Sequence, residues 1–302
     1  MWFGGAVFDP VRRVVIENSG NANGGRDIFV TRLSEDGSGT NEVLRGLLPF
    51  DSMCKPIFGS ERFVYFQQES GTKFGRVNLD TMAFEMLPDS PYLFGQTNGF
   101  FMDGSVFCFA YGNRAVRYDC AGSVWSDTTL YLNGKSMVPH PWHNGRVIEL
   151  LEDGRVREVR VADTRVCRTY ASKYGNTLWS TPEMLALCAP SGEFLLAVYG
   201  DRNGQPWRVF SSAADTWTDT SWKIPTSLSS TLFLDPTTTS LFYHVGDEKH
   251  WTMQPLQETP RTPMKEPPEK RHKPMTLNPC EAWMSRSGQL LISNCEPMQT
   301  LC

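Results

Sequence analysis

The sequence predicts an all-β fold, a β-propeller of four-stranded antiparallel blades, and three observations carry that expectation. Six glycines, Gly20, Gly71, Gly112, Gly154, Gly200 and Gly246, close apolar runs at successive spacings of 51, 41, 42, 46 and 46 residues. This is the punctuation of a repeat array, whose units bury their apolar faces only by stacking. Each glycine is preceded by a hairpin signal, two short apolar runs around a turn. After the glycine comes a polar loop and a second hairpin in which apolar and basic residues alternate, the pattern of strands with one wetted side.

The inner hairpins turn at Asp9-Pro10, Gly59-Ser60, Asp103-Gly104, Asn144-Gly145, Ser191-Gly192 and Asp235-Pro236, with a seventh at Ser287-Gly288. The strand after each turn is rich in β-branched and aromatic residues, as in Phe63-Val64-Tyr65-Phe66 or Val106-Phe107-Cys108-Phe109. Such near-continuous apolar runs suit strands covered on both faces. Five outer hairpins turn at Asp36-Gly37, Asp80-Thr81, Asp119, Asp163-Thr164 and Asp215, and the Pro-rich stretch from Pro255 replaces or extends a sixth. Seven inner hairpins against six outer ones predict seven blades, the last of them incomplete or composite. Residues 281–302 supply part of that blade and Met1–Phe3 an edge strand; six blades with a strap is the alternative.

Composition bounds the rest. At 302 residues, with 40% hydrophobic and 21% charged, the chain suffices for one closed array, and aromatic residues at 12% with 25 Gly and 20 Pro favour strands and turns. A single domain over residues 1–302 is expected. The formal charge of -4 provides no global field for nucleic acid or acidic lipid. The apolar N-terminus has no basic leader and no uncharged run is long enough to span a bilayer, so a cytoplasmic protein with no membrane partner is the expectation. The eight cysteines form no CxxC pair, which suits reduced thiols; Cys108, Cys167 and Cys188, in strand-like runs, read as small core residues. Pro255 to Pro279 holds seven prolines in 25 residues and almost nothing apolar, and reads as a flexible insertion at 255–279.

Tyr118-Asp119 followed by Trp125, and Phe210 followed by Trp217, share a seven-residue gap. With a glycine after each second strand, these aromatic pairs resemble kelch repeats, although the glycine doublet Gly24-Gly25 lies inside a loop. The stretch from Asp27 through Gly39 is similar instead to blades of TolB-like propellers. The resemblance implies a propeller and, by analogy, a protein-interaction scaffold. Trp125, Trp217 and Trp222 are expected to fill the wedge between blades.

No phosphate loop, nucleophile elbow or metalloprotease motif stands in a fitting context, and His140-Pro141-Trp142-His143 offers two histidines where a metal needs three or four converging ligands. No cofactor and no metal are therefore expected. Kelch-like copper oxidases join a Cys to a Tyr, a chemistry suited to an oxidising compartment. One positional feature suggests binding. A basic residue follows each punctuating glycine, namely Arg26, Lys73, Arg114, Arg155, Arg202 and Lys249. Equivalent connections emerge on one face, so these six predict a cationic ring around one channel mouth, suited to an acidic or phosphorylated protein partner. The expectation is a monomeric, noncatalytic scaffold. A hydrolase or lyase acting on a sugar or peptide at the channel mouth is the alternative, and would need titratable groups from several blades at one pocket.

Overall fold

In this computed structural model the described residues are 6–9, 11–18, 25–34, 39–52, 56–59, 62–95, 99–132, 134–175, 183–188, 193–199, 207–220, 230–235, 240–245 and 252–255. They form five four-stranded antiparallel blades and one three-stranded sheet, each with strands in sequence order. Blade 1 comprises β1 (Ala6–Asp9), β2 (Val14–Asn18), β3 (Ile28–Leu33) and β4 (Gly39–Leu44). Blade 2 comprises β5 (Ile57–Phe58), β6 (Phe63–Gln67), β7 (Phe74–Asn78) and β8 (Phe84–Leu87). Blade 3 has β9 (Phe100–Met102), β10 (Ser105–Phe109), β11 (Arg114–Asp119) and β12 (Val124–Tyr131), and blade 4 has β13 (Gly134–Pro139), β14 (Arg146–Leu151), β15 (Arg155–Arg160) and β16 (Val166–Lys173). Blade 5 has β17 (Glu183–Cys188), β18 (Phe194–Tyr199), β19 (Arg208–Ser211) and β20 (Thr216–Asp219), followed by the sheet β21 (Ser230–Asp235), β22 (Ser240–Val245) and β23 (Thr252–Pro255).

The first strands touch in succession, β1 on β5, β5 on β9, β9 on β13 and β13 on β17, while β21 lies against β1. This radial order is that of a propeller. The expected seven blades, with six as the alternative, are corrected to five. Hairpin signals count pairs of strands, whereas a blade needs four. Among the described residues the sixth signal corresponds to the three-stranded sheet β21–β22–β23. The seventh signal, the composite closure through Met1–Phe3 and the insertion 255–279 lie outside the described residues.

Burial separates the strands by rank. Every residue of β10 is buried, whereas β4 and β12 are largely exposed, as expected for a sheet covered on both faces except at its rim. Four apolar clusters fill the spaces between successive blades. Ile16 and Val30 meet Phe66 and Val77 between blades 1 and 2. Phe74 and Phe94 meet Tyr118 and Cys108 between blades 2 and 3. Phe107 and Leu130 meet Met137 and Val147 between blades 3 and 4, and Ile148 and Tyr170 meet Phe194 and Phe210 between blades 4 and 5. The kelch-like pairs are cross-strand neighbours, with ring centroids 5.1 Å apart for Tyr118 and Trp125 and 5.2 Å for Phe210 and Trp217. Trp125 packs edge-on against Phe74 and Trp217 against Tyr174, so both fill interblade wedges; Trp222 lies outside the described residues. Cys108 is buried as expected, but Cys167 is exposed because it falls on the outermost strand β16. Cys108, Cys120 and Cys167 are free thiols.

Two backbone hydrogen bonds recur in all five blades. On one face the residue ending the third strand, or just past it, donates to a carbonyl at the first turn: Leu33 to Arg13, Leu79 to Arg62, Cys120 to Gly104, Val161 to Gly145 and Ser212 to Phe194. On the other face an amide beyond the fourth strand donates to a carbonyl just before the third: Leu48 to Arg26, Ser90 to Thr72, Leu132 to Asn113, Tyr174 to Gly154 and Thr220 to Trp207. The first four of these donors, at 48, 90, 132 and 174, step by 42 residues. Gly112 and Gly154, two of the punctuating glycines, have φ of +82° and +81°, conformations that side chains disfavour. A Cβ on Gly154 would lie 2.9 Å from the Tyr174 nitrogen, the donor of its own clamp, whereas one on Gly112 meets nothing within 4 Å.

Gly112→Ala is expected to cost about 1–2 kcal/mol from backbone strain alone, and Gly154→Ala measurably more, as read by urea melts of the two variants; equal losses would dissociate the clamp from stability. Phe74→Ala, which empties a fully buried site touching four other rings, is expected to cost about 3–5 kcal/mol, against less than about 0.5 kcal/mol for exposed Val43→Ala.

Candidate interaction face

Strand direction alternates within each blade, so the loops between second and third strands share one face with the connectors between blades. The described members of the predicted ring stand there: Arg26 and Lys73 just before β3 and β7, Arg114 and Arg155 at the starts of β11 and β15. Their positions lie between the second and third strands, away from the first strands that line the axis. Each holds an aspartate. Arg26 Nε is 2.7 Å from Asp51, Lys73 Nζ 2.7 Å from Asp89, Arg114 Nη2 2.8 Å from Asp127 and Arg155 Nε 2.7 Å from Asp153. Arg202 and Lys249 lie outside the described residues. At these exposed positions each pair contributes little to stability, but each cation carries its own counter-charge.

Between blades 2 and 3 this face is built from three chain segments bonded to one another. Along the connector from Pro88 to Gly95, Trp125 Nε1 donates to the Pro88 carbonyl, Lys73 pairs with Asp89, and the Ser90 amide donates to Thr72. Arg114 lies over the Tyr92 ring at 5.2 Å, and the Tyr92 hydroxyl donates to Asp127. The Phe94 amide donates to Gly71, the Gly95 amide to Phe109 and the Tyr111 amide to the Leu93 carbonyl. Phe94 and Ala110 form an antiparallel bridge, which makes Leu93 and Tyr111 cross-strand neighbours. Phe94 points into the core, while Leu93 is 52% and Tyr111 59% exposed. The Tyr111 hydroxyl lies 2.7 Å from Ser70 Oγ in the loop of blade 2. These two apolar residues escaped the sequence reading; the available signal was a tyrosine directly before Gly112, where loop residues are ordinarily polar.

A group of titratable side chains lies in blade 4, toward the opposite face. His140 Nδ1 accepts hydrogen bonds from the amides of Trp142 and His143 at 3.1 Å each, capping the β13–β14 turn. Asp9 does the same in blade 1 for Val11 and Arg12. His140 Nε2 faces Glu158 at 3.7 Å, Arg146 lies 3.5 Å from the same carboxylate, and Tyr170 donates to it at 2.7 Å. The His140 and His143 rings meet, with centroids 4.6 Å apart. No group of three or more metal-ligating side chains occurs among the described residues. Burial, then the neighbouring His143 and Arg146, push the His140 pKa down to about 3. The imidazole is thus neutral at ordinary pH, a structural cap. All five of these groups come from one blade.

Blade 4 also holds a buried ion pair, Glu149 with Arg157 at 2.5 Å across β14 and β15. These occupy the register that Cys108 and Val116 fill in blade 3. Burial raises the pKa of the Cys120 thiol, which accepts a hydrogen bond from the Tyr65 hydroxyl at 3.2 Å. This Tyr–Cys contact lies in an aromatic core beside Phe74. A cavity of about 270 Å³ lies at the outer side of blades 3 and 4, lined by Leu130, Tyr131, Arg157, Val159 and Val166 with two threonines. No described helix is long and apolar enough to cross a membrane.

No family model and no curated protein matches the chain. Among solved structures, the N-terminal domain of Nup159 is similar, with a TM-score of 0.53, 8% identity, and coverage of 80% of this chain and 86% of that one. A complex of S. cerevisiae Dbp5 bound to Nup159, with Gle1, ip6 and ADP, gives a TM-score of 0.51 at 9% identity over 80% and 86% of the two chains. A nidogen/laminin complex gives 0.49 at 12% identity over 72% and 78%. At such identities the likeness to Nup159 speaks for the propeller fold alone.

The unfolded chain's histidine takes a proton near pH 6.5, that of folded His140 only near 3. Between these values the unfolded state holds the extra proton, so stability falls as pH falls, by at most about 1.4 kcal/mol per pH unit from this group. His140→Asn keeps an acceptor for the two amides and removes the titration. Its denaturation midpoint is expected to fall less steeply with pH over that window than the native chain's; parallel slopes would exclude His140 as the source.

Proposed function

We propose that the chain is a monomeric, cytoplasmic, noncatalytic interaction scaffold that docks a protein partner on the face formed by the second-to-third-strand loops and the interblade connectors. The observation that carries this reading is the bonded platform of blades 2 and 3, which holds large apolar side chains in water on a backbone fixed at nearly every residue. A surface fixed before binding has little ordering entropy left to lose. Arg26, Lys73, Arg114 and Arg155 stand on the same face, and with Arg202 and Lys249 they are proposed to flank the contact. An acidic or phosphorylated partner would exchange its anions for their aspartates at the rim of the contact, without a net gain in ion pairs. The cross-strand pairs Tyr118–Trp125 and Phe210–Trp217 support kelch-like ancestry for the blades. A protein-binding task has a parallel in Nup159, which is found in complex with Dbp5, though a shared fold does not by itself transfer a task.

The test is affinity capture from native lysate at low and high salt with the full chain, Arg114→Glu, and Val11→Glu, whose site is 77% exposed in the first turn of blade 1 on the opposite face. One protein is expected to be retained by the native chain and by Val11→Glu and reduced about tenfold or more by Arg114→Glu. Retention by all three, or loss only with Val11→Glu, would move the contact off this face. Loss at high salt together with loss on Arg114→Glu would mark the partner as acidic.

A further inference from the structure

Resting on that reading of the face, we propose that Leu93 and Tyr111 are its anchor site. The occupant is a segment of a partner protein that seats one aliphatic or aromatic side chain against them and brings no charge of its own. The geometry commits the site to this chemistry. Leu93 and Tyr111 are cross-strand neighbours, so their side chains rise from the same side of a two-residue ladder. The tyrosine reaches across the connector to Ser70 of the next blade, which holds its ring over a junction of three segments. Ser70, with φ of 54°, and Asn113, with φ of 64°, hold the two flanking loops in tight left-handed turns.

Charge decides between occupants. The cations beside the site are occupied on the spot, Lys73 by Asp89 and Arg114 by Asp127 together with the Tyr92 ring. An anionic segment arriving here would have to break an ion pair for each one it formed, for no net gain in pairs. An uncharged apolar side chain displaces only water, from a leucine and a phenol that the fold leaves more than half exposed. An apolar centre ringed by paired polar groups is the arrangement of an interface hot spot, in which tyrosine is over-represented. The paired hydroxyls of Tyr111 and Ser70 add a donor and an acceptor for the backbone of the arriving segment.

A phage-displayed library of random peptides panned on the full chain provides the probe. Selected peptides, made with a fluorescent label, are then titrated by anisotropy at low and high salt. The expected consensus is a single apolar residue without acidic neighbours, with affinity changing less than about twofold between salts. Leu93→Ser and Tyr111→Ala should each weaken binding about tenfold or more, while Tyr111→Phe, which keeps the ring, stays within about threefold. Unaltered thermal melting of the three variants excludes unfolding as the cause. An acidic, salt-sensitive consensus, binding indifferent to Leu93→Ser and Tyr111→Ala, or enrichment of no peptide would each overturn the proposal. So would self-association abolished by Tyr111→Ala, which makes a second copy the occupant. A lysate partner lost with Arg114→Glu but indifferent to Leu93→Ser and Tyr111→Ala removes the anchor and leaves the face. One indifferent to all three variants removes the face as well.

Discussion

Covering both faces of every four-stranded sheet is the constraint from which the rest of this molecule follows. A second strand such as Ser105–Phe109 has no residue exposed to water, and a small sheet covers neither of its own faces. Burial therefore requires a neighbour on each side, and sequential blades around an axis satisfy that requirement repeatedly. Spacing between blades widens outward, and side-chain size follows it. Trp125, packed on Phe74 and Tyr118, and Trp217, packed on Phe210, fill the wedge at the fourth strands.

Stacking fixes the blades relative to one another, and the paired backbone clamps fix each blade's loops to its own strands. A clamp that spends a main-chain amide leaves the side chain of its donor unconstrained, which is why Leu48, Ser90, Leu132, Tyr174 and Thr220 perform one task with four kinds of side chain. The consequence for function is a face whose backbone is settled by the fold and whose side chains are available for recognition. Among the described residues the cations Arg26, Lys73, Arg114 and Arg155 of that face each stand beside an aspartate.

Blade 4 departs from its neighbours in the interior. Where blade 3 packs Cys108 against Val116, blade 4 buries Glu149 with Arg157, and a histidine caps the turn that an aspartate caps in blade 1. A buried pair of this kind contributes little net stability yet is costly to break by halves. It ties β14 and β15 into one register, since a slip of one strand would leave two uncompensated charges in the core. The neutral cap and the carboxylate cluster around Glu158 extend that polar interior to the blade's edge.

Strand rank, turn positions and the interblade aromatics were legible in the amino-acid order because each rests on a local rule. Asp103 and Gly104 turn tightly with φ of 50° and 70°, β12 alternates as a rim strand should, and Trp125 lies seven residues beyond the tyrosine it packs on. Blade number, the company kept by each cation and the Leu93–Tyr111 pair were decided only by tertiary structure. Closure depends on the summed geometry of all sheets, ion pairs form between residues such as Arg26 and Asp51 that the sequence holds 25 positions apart, and exposure depends on which side of a distant strand a residue meets. Local periodicity carries no information about any of these, because each is a relation between chain segments that only packing brings together.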